Sequence, residues 1–148
     1  MISLYSGEFL GLSVKDLMIP SERVAHVQVG NSLEHALLVL TKSGYTAIPV
    51  LDPHYRLMGL ISTPIIMDSI LGLERIEFEQ LDTKKVETAM NTEIPRINIH
   101  SDLQSSLDLL VDYPFLCIED ESGIFEGILT RRTVLQKLTN EVKRMNKK

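Results

Sequence analysis

The chain has little that would place it in a specialised class. Among its 148 residues there is one cysteine and no tryptophan. A single thiol builds no disulfide framework, and the four histidines show no zinc-ligand spacing. Basic residues are outnumbered, 15 Lys+Arg against 20 Asp+Glu, for a formal net charge of −5. A nucleic-acid binder needs a basic surface to displace counterions, so that class is disfavoured. A basic segment followed by a long apolar run is missing from the N-terminus, so no secretory signal is expected. The most apolar stretch, Leu57 to Leu73, is interrupted by Gly59, Pro64 and Asp68 and falls short of the roughly 20 residues of a membrane span. There is no phosphate-binding Walker loop, no Gly-x-Ser-x-Gly and no His-Glu-x-x-His. With no export signal and one unpaired thiol, the cytoplasm is the expected compartment.

What is present is an internal repeat. Val14-Lys15-Asp16-Leu17-Met18 is echoed by Val86-Glu87-Thr88-Ala89-Met90, and Val27-Gln28-Val29 by Ile97-Asn98-Ile99. The second pair alternates as half-buried strands do. Asn31-Ser32-Leu33-Glu34 and Ser101-Asp102-Leu103-Gln104 read as capping boxes, with Asn31 and Ser101 as caps and Glu34 and Gln104 three residues on. Each opens an amphipathic helix, striped by Leu33, Ala36, Leu37 and Leu40 in one copy and by Leu103, Leu107 and Leu110 in the other. Gly44 suits a left-handed helix stop.

The second half of each copy agrees as well. Ile48-Pro49-Val50-Leu51-Asp52 precedes Leu57-Met58-Gly59-Leu60-Ile61-Ser62. Leu116-Cys117-Ile118-Glu119-Asp120 precedes Phe125-Glu126-Gly127-Ile128-Leu129-Thr130. Turn sequences beginning at Asp52 and Asp120 join the two strands of each pair. Helices are expected from Pro64 to Leu71 and from about Arg132 to Lys143. Each copy therefore reads strand, helix, strand, turn, strand, helix. At about 60 residues neither copy has a generous core alone, so the two should pack together.

The pattern Pro-Val-h-Asp, a short turn, then h-h-Gly-h-h-Ser/Thr (h apolar) resembles the CBS domain, over about residues 14–140. The resemblance implies an α/β (α+β) fold: a tandem pair of pseudo-symmetric βαββα units packed through their sheets. The expected organisation is a lead-in over 1–13, a first CBS domain over 14–73, a linker over 74–83, a second CBS domain over 84–143 and a basic tail over 144–148. CBS pairs are regulatory, commonly dimerise into a flat disc and bind adenine nucleotides in clefts between the copies. Almost no sequence is left here for an effector domain. That form is similar to the stand-alone cyclic-di-AMP-binding CBS proteins of Gram-positive bacteria.

The resemblance also locates a site. Each cleft combines the approaches to the first and second strands of one copy with the Gly-h-h-Ser/Thr-x-x-Asp segment of the other. The ribose-binding Asp of that motif is replaced by Ile65 in one copy and Thr133 in the other, which argues against a simple AMP or ATP sensor. One cleft would hold Thr130, Arg131, Arg132 and Thr133, where a strand end meets a helix start and backbone N–H groups favour an anion. Arginine there opposes the helix dipole unless a negative ligand compensates it, and arginine binds phosphate bidentately. The same cleft would receive Arg23, Val24 and Ala25, and Tyr45, Thr46, Ala47 and Ile48. Arg23 adds a third cation, Ala25 leaves room for a base and Tyr45 offers a stacking face. Against this, paired arginines on a loop are commonly a solvated surface. The other cleft, around Ile94-Pro95-Arg96, Phe115-Leu116 and Ser62-Thr63-Pro64-Ile65, is poorer in cations and expected empty or weakly occupied.

With these features, the resemblance implies a cyclic-di-AMP-binding, non-catalytic homodimer acting through protein contacts. The resemblance suggests a (p)ppGpp synthetase/hydrolase or pyruvate carboxylase as partner. An AMP/ATP-sensing module and a structural adaptor with a vestigial cleft are the alternatives. Neither a metal, a nucleic acid nor a membrane is expected. Cys117 reads as an inert buried thiol, and the acidic stretch from Glu74 to Asp82 as a solvated linker or a docking edge.

Overall fold

A computed structural model describes residues 8–146. The residues of the lead-in before Glu8, and Lys147 and Lys148 of the basic tail, lie outside the described residues. The chain divides into two compact units.

One unit spans Val24–Ile94, with Gly123–Phe125 added, and so holds the first repeat from Val24 onward. Strands β2 (Val27–Gln28), β3 (Ala47–Leu51) and β4 (Leu57–Ser62) form its sheet in that order. β2 runs parallel to β3, with Val27 opposite Val50; β3 runs antiparallel to β4, with Ala47 opposite Ser62. Helices α2 (Leu33–Ser43) and α3 (Thr63–Ser69) complete it. The core gathers Val27, Leu33, Ala36, Leu40, Ile48, Val50, Ile61 and Ile66, and it includes Val86, the opening residue of the second repeat.

The other unit joins the residues up to Arg23 to Pro95–Ser122 and the chain from Glu126. Its sheet order is β1 (Ile19–Pro20), β7 (Phe125–Thr130), β6 (Phe115–Glu119), β5 (Arg96–Asn98). Helices α1 (Val14–Leu17), α4 (Leu103–Asp112) and α5 (Arg131–Asn146) belong to it. Val14, the opening residue of the first repeat, is fully buried in this core with Ile97, Leu103, Leu110, Leu116, Ile118 and Leu129. The repeat boundaries at 14 and 84 are thus boundaries in sequence, while the compact units exchange lead-ins. Val14 N donates to Ser101 O and Leu103 N to Leu12 O in one unit. Val86 N donates to Asn31 O and Leu33 N to Lys84 O in the other. Each exchanged segment therefore satisfies an orphan amide at the start of a helix, where the helix has no partner of its own.

The two glycines of the repeat motif are explained by the same exchange. A Cβ on Gly127 would stand 2.3 Å from Ile19 O, and one on Gly59 would stand 2.6 Å from Asn91 O. Both strands are crossed closely by lead-in backbone: Pro20 lies opposite Gly127, and Leu60 and Asn91 exchange N–H···O bonds of 2.9 and 2.8 Å.

Both helix starts lie one residue beyond the caps expected from sequence. Ser32 accepts from His35 N at 3.1 Å, and Asp102 accepts from Ser105 N at 3.0 Å. Asn31 and Ser101 are occupied elsewhere: the Asn31 side chain accepts from Gln28 N, and the carbonyls of both accept from the lead-ins. Gly44 does end α2 in the left-handed region, at φ 77°. α4 has no such glycine and continues into extended Tyr113. The helix after β4 is shorter than expected, and that after β7 runs on to Asn146.

Candidate functional site

Thr130, Arg131, Arg132 and Thr133 meet where β7 passes into α5. Thr130 Oγ1 accepts from Thr133 N at 3.1 Å and lies 2.9 Å from Thr133 Oγ1. That is an N-cap: the threonine oxygen satisfies an amide the helix leaves unpaired. The first turn of α5 carries no acidic residue, so nothing there neutralises the positive end of the dipole.

The neighbouring arginines do different things. Arg131 turns back onto α4: its Nε donates to Leu110 O, and its Nη2 donates to Val111 O at 2.8 Å. α4 ends without glycine and without a basic residue in its last turn, so Arg131 supplies from a distance the donors its carbonyls lack. The Tyr113-Pro114 ending, with no glycine, is the sequence signal for a helix end that needs an outside donor. Arg132 is exposed, and no hydrogen bond or ion pair engages it among the described residues. Arg23 ends a 3₁₀ turn in the same unit, also exposed.

The remaining candidates lie in the unit of the first repeat. Because β2 and β3 are parallel, the residues leading into them share one sheet edge. Val24 and Ala25 precede β2; Tyr45 and Thr46 precede β3, which begins at Ala47. Val24 and Ile48 are buried. Ala25 and Tyr45 are half-buried against the core, and Thr46 is exposed. Val24 O lies 3.1 Å from His26 Nδ1, and the His26 ring meets Tyr55 edge-on at 5.4 Å. At the corresponding edge of the other unit, Arg96 is paired with Glu119 at 3.3 Å. Cys117 is buried in β6, and burial pushes its thiol up to about 12.

A hollow of about 670 Å³ lies within the first-repeat unit, between α3 and the segment after Val86. Pro64, Ile65, Asp68, Ala89, Met90 and Asn91 are among its lining residues, and no cation is. No helix is long and apolar enough to cross a membrane among the described residues.

The CBS-domain family model matches residues 14–72. Over 147 residues the chain is 55% identical to the cyclic di-AMP receptor B of Bacillus subtilis, covering 99% of this chain and all of that protein. The chain belongs to the CBS-domain family. Among solved structures, a CBS domain-containing protein of Bacillus anthracis superposes with a TM-score of 0.84 at 58% identity, covering 91% of this chain and 98% of its own. The Listeria monocytogenes CbpB protein, solved in complex with c-di-AMP, superposes with a TM-score of 0.81 at 53% identity, covering 86% and 96%. The α/β tandem-CBS fold read from the repeat is therefore the fold of this chain.

Proposed function

We propose that this CBS-domain protein is a non-catalytic cytoplasmic regulator whose ligand is cyclic di-AMP. The observation that carries the reading is the similarity, over the whole of both chains, to a cyclic di-AMP receptor. The β7–α5 junction supports it with chemistry suited to a phosphodiester: a capped helix start, no acidic residue in the first turn, and the guanidinium of Arg132 without a protein partner. In this reading Arg132, Thr130 and Thr133 hold phosphate oxygens, with Arg23 and Arg131 adding positive charge. Val24, Ala25, Tyr45, Thr46, Ala47 and Ile48 of the first repeat take the base and sugar, as the family resemblance implies. Ile65 and Thr133 in place of the ribose-binding Asp fit a ligand held mainly by its phosphates.

The protein works as a homodimer, and its output is a contact with another enzyme that the ligand weakens or strengthens. A (p)ppGpp synthetase/hydrolase and pyruvate carboxylase are the candidate partners. Reversing such a contact from 1:99 to 99:1 takes about 5.5 kcal/mol of differential affinity, within reach of several charge-assisted hydrogen bonds to two phosphates.

The test is isothermal titration of the purified chain against cyclic di-AMP, AMP and ATP. Tight binding of the cyclic dinucleotide, with the mononucleotides much weaker, is expected. Preference for AMP or ATP would replace the reading with an energy sensor, and no binding by any of the three would leave a structural adaptor.

A further inference from the structure

The first repeat ends in a feature that the second does not share. After β7 the chain continues as the 16-residue α5, whereas after β4 helix α3 stops at Ser69, seven residues long. The residues that follow fold back as a hook. Leu71 bridges Ile76, Gly72 N donates to Arg75 O at 2.8 Å, and Glu77 N donates to Ile70 O at 2.7 Å. A 3₁₀ turn over Phe78–Gln80 comes next. Both ends are anchored: Ile70 is buried, Ile76 and Leu81 pack on the first-repeat core, and Leu81 O accepts from Glu34 N at 2.9 Å. The acidic stretch from Glu74 to Asp82 is thus part of a folded element of this unit.

The hook is apolar on its outside. Leu73 is fully exposed, Leu71 is 62% exposed and Phe78 58%. Of the ten large apolar side chains left exposed among the described residues, these three fall within eight consecutive positions. Single exposed leucines are ordinary, but a cluster on a built protrusion marks an interaction surface. A hollow of about 420 Å³ lies beside it, lined by Leu73, Glu74, Arg75 and Glu77. The backbone is already fixed by its own hydrogen bonds, so little ordering entropy opposes docking.

Charge selects the occupant. The hook carries Glu74, Glu77, Glu79 and Asp82 against Arg75 alone. Arg75 is spent on Glu79, through both guanidinium Nη atoms. Glu77 accepts from the neutral amide of Gln80, and no ion pair engages Glu74, Glu77 or Asp82 among the described residues. The same hook on a second copy would therefore be repelled. A surface with lysines or arginines around an apolar recess is matched in both charge and polarity.

We propose that the hook over 71–82 docks a partner protein whose surface carries basic side chains around an apolar recess, with Leu73 seated in that recess. This names the surface for the enzyme contact of the preceding reading and rests on it. The probes are the two candidate enzymes, the (p)ppGpp synthetase/hydrolase and pyruvate carboxylase, each titrated by biolayer interferometry against the full ligand-free chain. Leu73 is fully exposed in the single chain, so Leu73→Ser should leave the melting temperature and the cyclic di-AMP affinity unchanged. It is expected to raise the dissociation constant of the enzyme that binds about 10-fold or more. Glu74→Lys combined with Asp82→Lys should weaken the same contact and flatten its dependence on salt.

Equal binding by the wild type and Leu73→Ser would overturn the hook as the docking surface while leaving the partner assignment standing. A wild type that binds neither enzyme would overturn both, and cyclic di-AMP titration reads the ligand assignment independently. An unaltered salt dependence in the double charge variant would overturn the basic character of the partner surface. Sedimentation velocity closes the test: a changed oligomeric state in Leu73→Ser would make the hook a contact between copies of this chain and overturn the proposal.

Discussion

Arg131 and Arg132 are adjacent and chemically identical, yet only one is committed to the protein. Arg131 closes the carboxyl end of α4 through two carbonyls, and Arg132 stands exposed at the start of α5. Replacing them should separate stability from binding. Arg131→Met removes charge-assisted hydrogen bonds near the surface and is expected to cost about 1–2 kcal/mol, a fall of several degrees in the melting temperature. Arg132→Met is expected to leave the ligand-free melting temperature unchanged and to abolish cyclic di-AMP binding in a titration. Unchanged affinity would remove Arg132 from the site. Cys117 offers a further check at this scale. Burial holds its thiol at about 12, so at pH 8 it stays protonated and should resist a thiol reagent in the native protein, reacting only after denaturation. Rapid native labelling would contradict the packing of β6. The paired motif and the strand-to-helix junction at Thr130–Thr133 were legible in the residues themselves. The division of labour between the arginines was not, because it depends on where α4 ends in space.

At the scale of elements, periodicity and turn chemistry were largely sufficient. The leucine stripes of α2 and α4 bury Leu33 and Leu40, and Leu103 and Leu110. Asp52 and Asp120 do form the expected turns, their side chains accepting from His54 N and Ser122 N at 2.8 Å. Helix starts were misplaced by one residue because Asn31 and Ser101 also serve the lead-ins, a demand invisible within four residues of sequence. The motif glycines show the same dependence on a distant segment. Gly127→Ala would force a methyl group against Ile19 O, and overpacking of this kind costs about 1–3 kcal/mol. The expected result is a lowered midpoint in urea together with faster amide exchange at Ile19 and Met18. Unaltered exchange there would mean that β1 does not lie over Gly127.

For the whole molecule the main consequence is the exchange of lead-ins. Val14 and Val86 occupy equivalent places in the two cores, each fully buried, and each belongs in sequence to the other repeat. Truncating either to alanine removes two buried methyl groups, with an expected loss of about 1–3 kcal/mol. The exchange predicts where that loss appears. Val14→Ala should speed amide exchange in β5, β6 and α4 of the second repeat, and Val86→Ala should do so in β2, β3 and α2 of the first. Hydrogen exchange followed by mass spectrometry reads this directly, and the opposite assignment would show that each lead-in stays with its own repeat.

The sequence by itself determined the repeat, the alternation of strand and helix, the apolar faces, the turns and the chemistry of the β7–α5 junction. All of these are set by residues close along the chain, through backbone preference and side-chain periodicity. Tertiary structure decided which lead-in enters which core, which arginine is spent on a helix end and which apolar side chains are left open. Val14-Lys15-Asp16-Leu17-Met18 and Val86-Glu87-Thr88-Ala89-Met90 are too alike for local preference to assign them. Only burial of each valine against one particular core, together with the backbone bonds that follow, makes the choice.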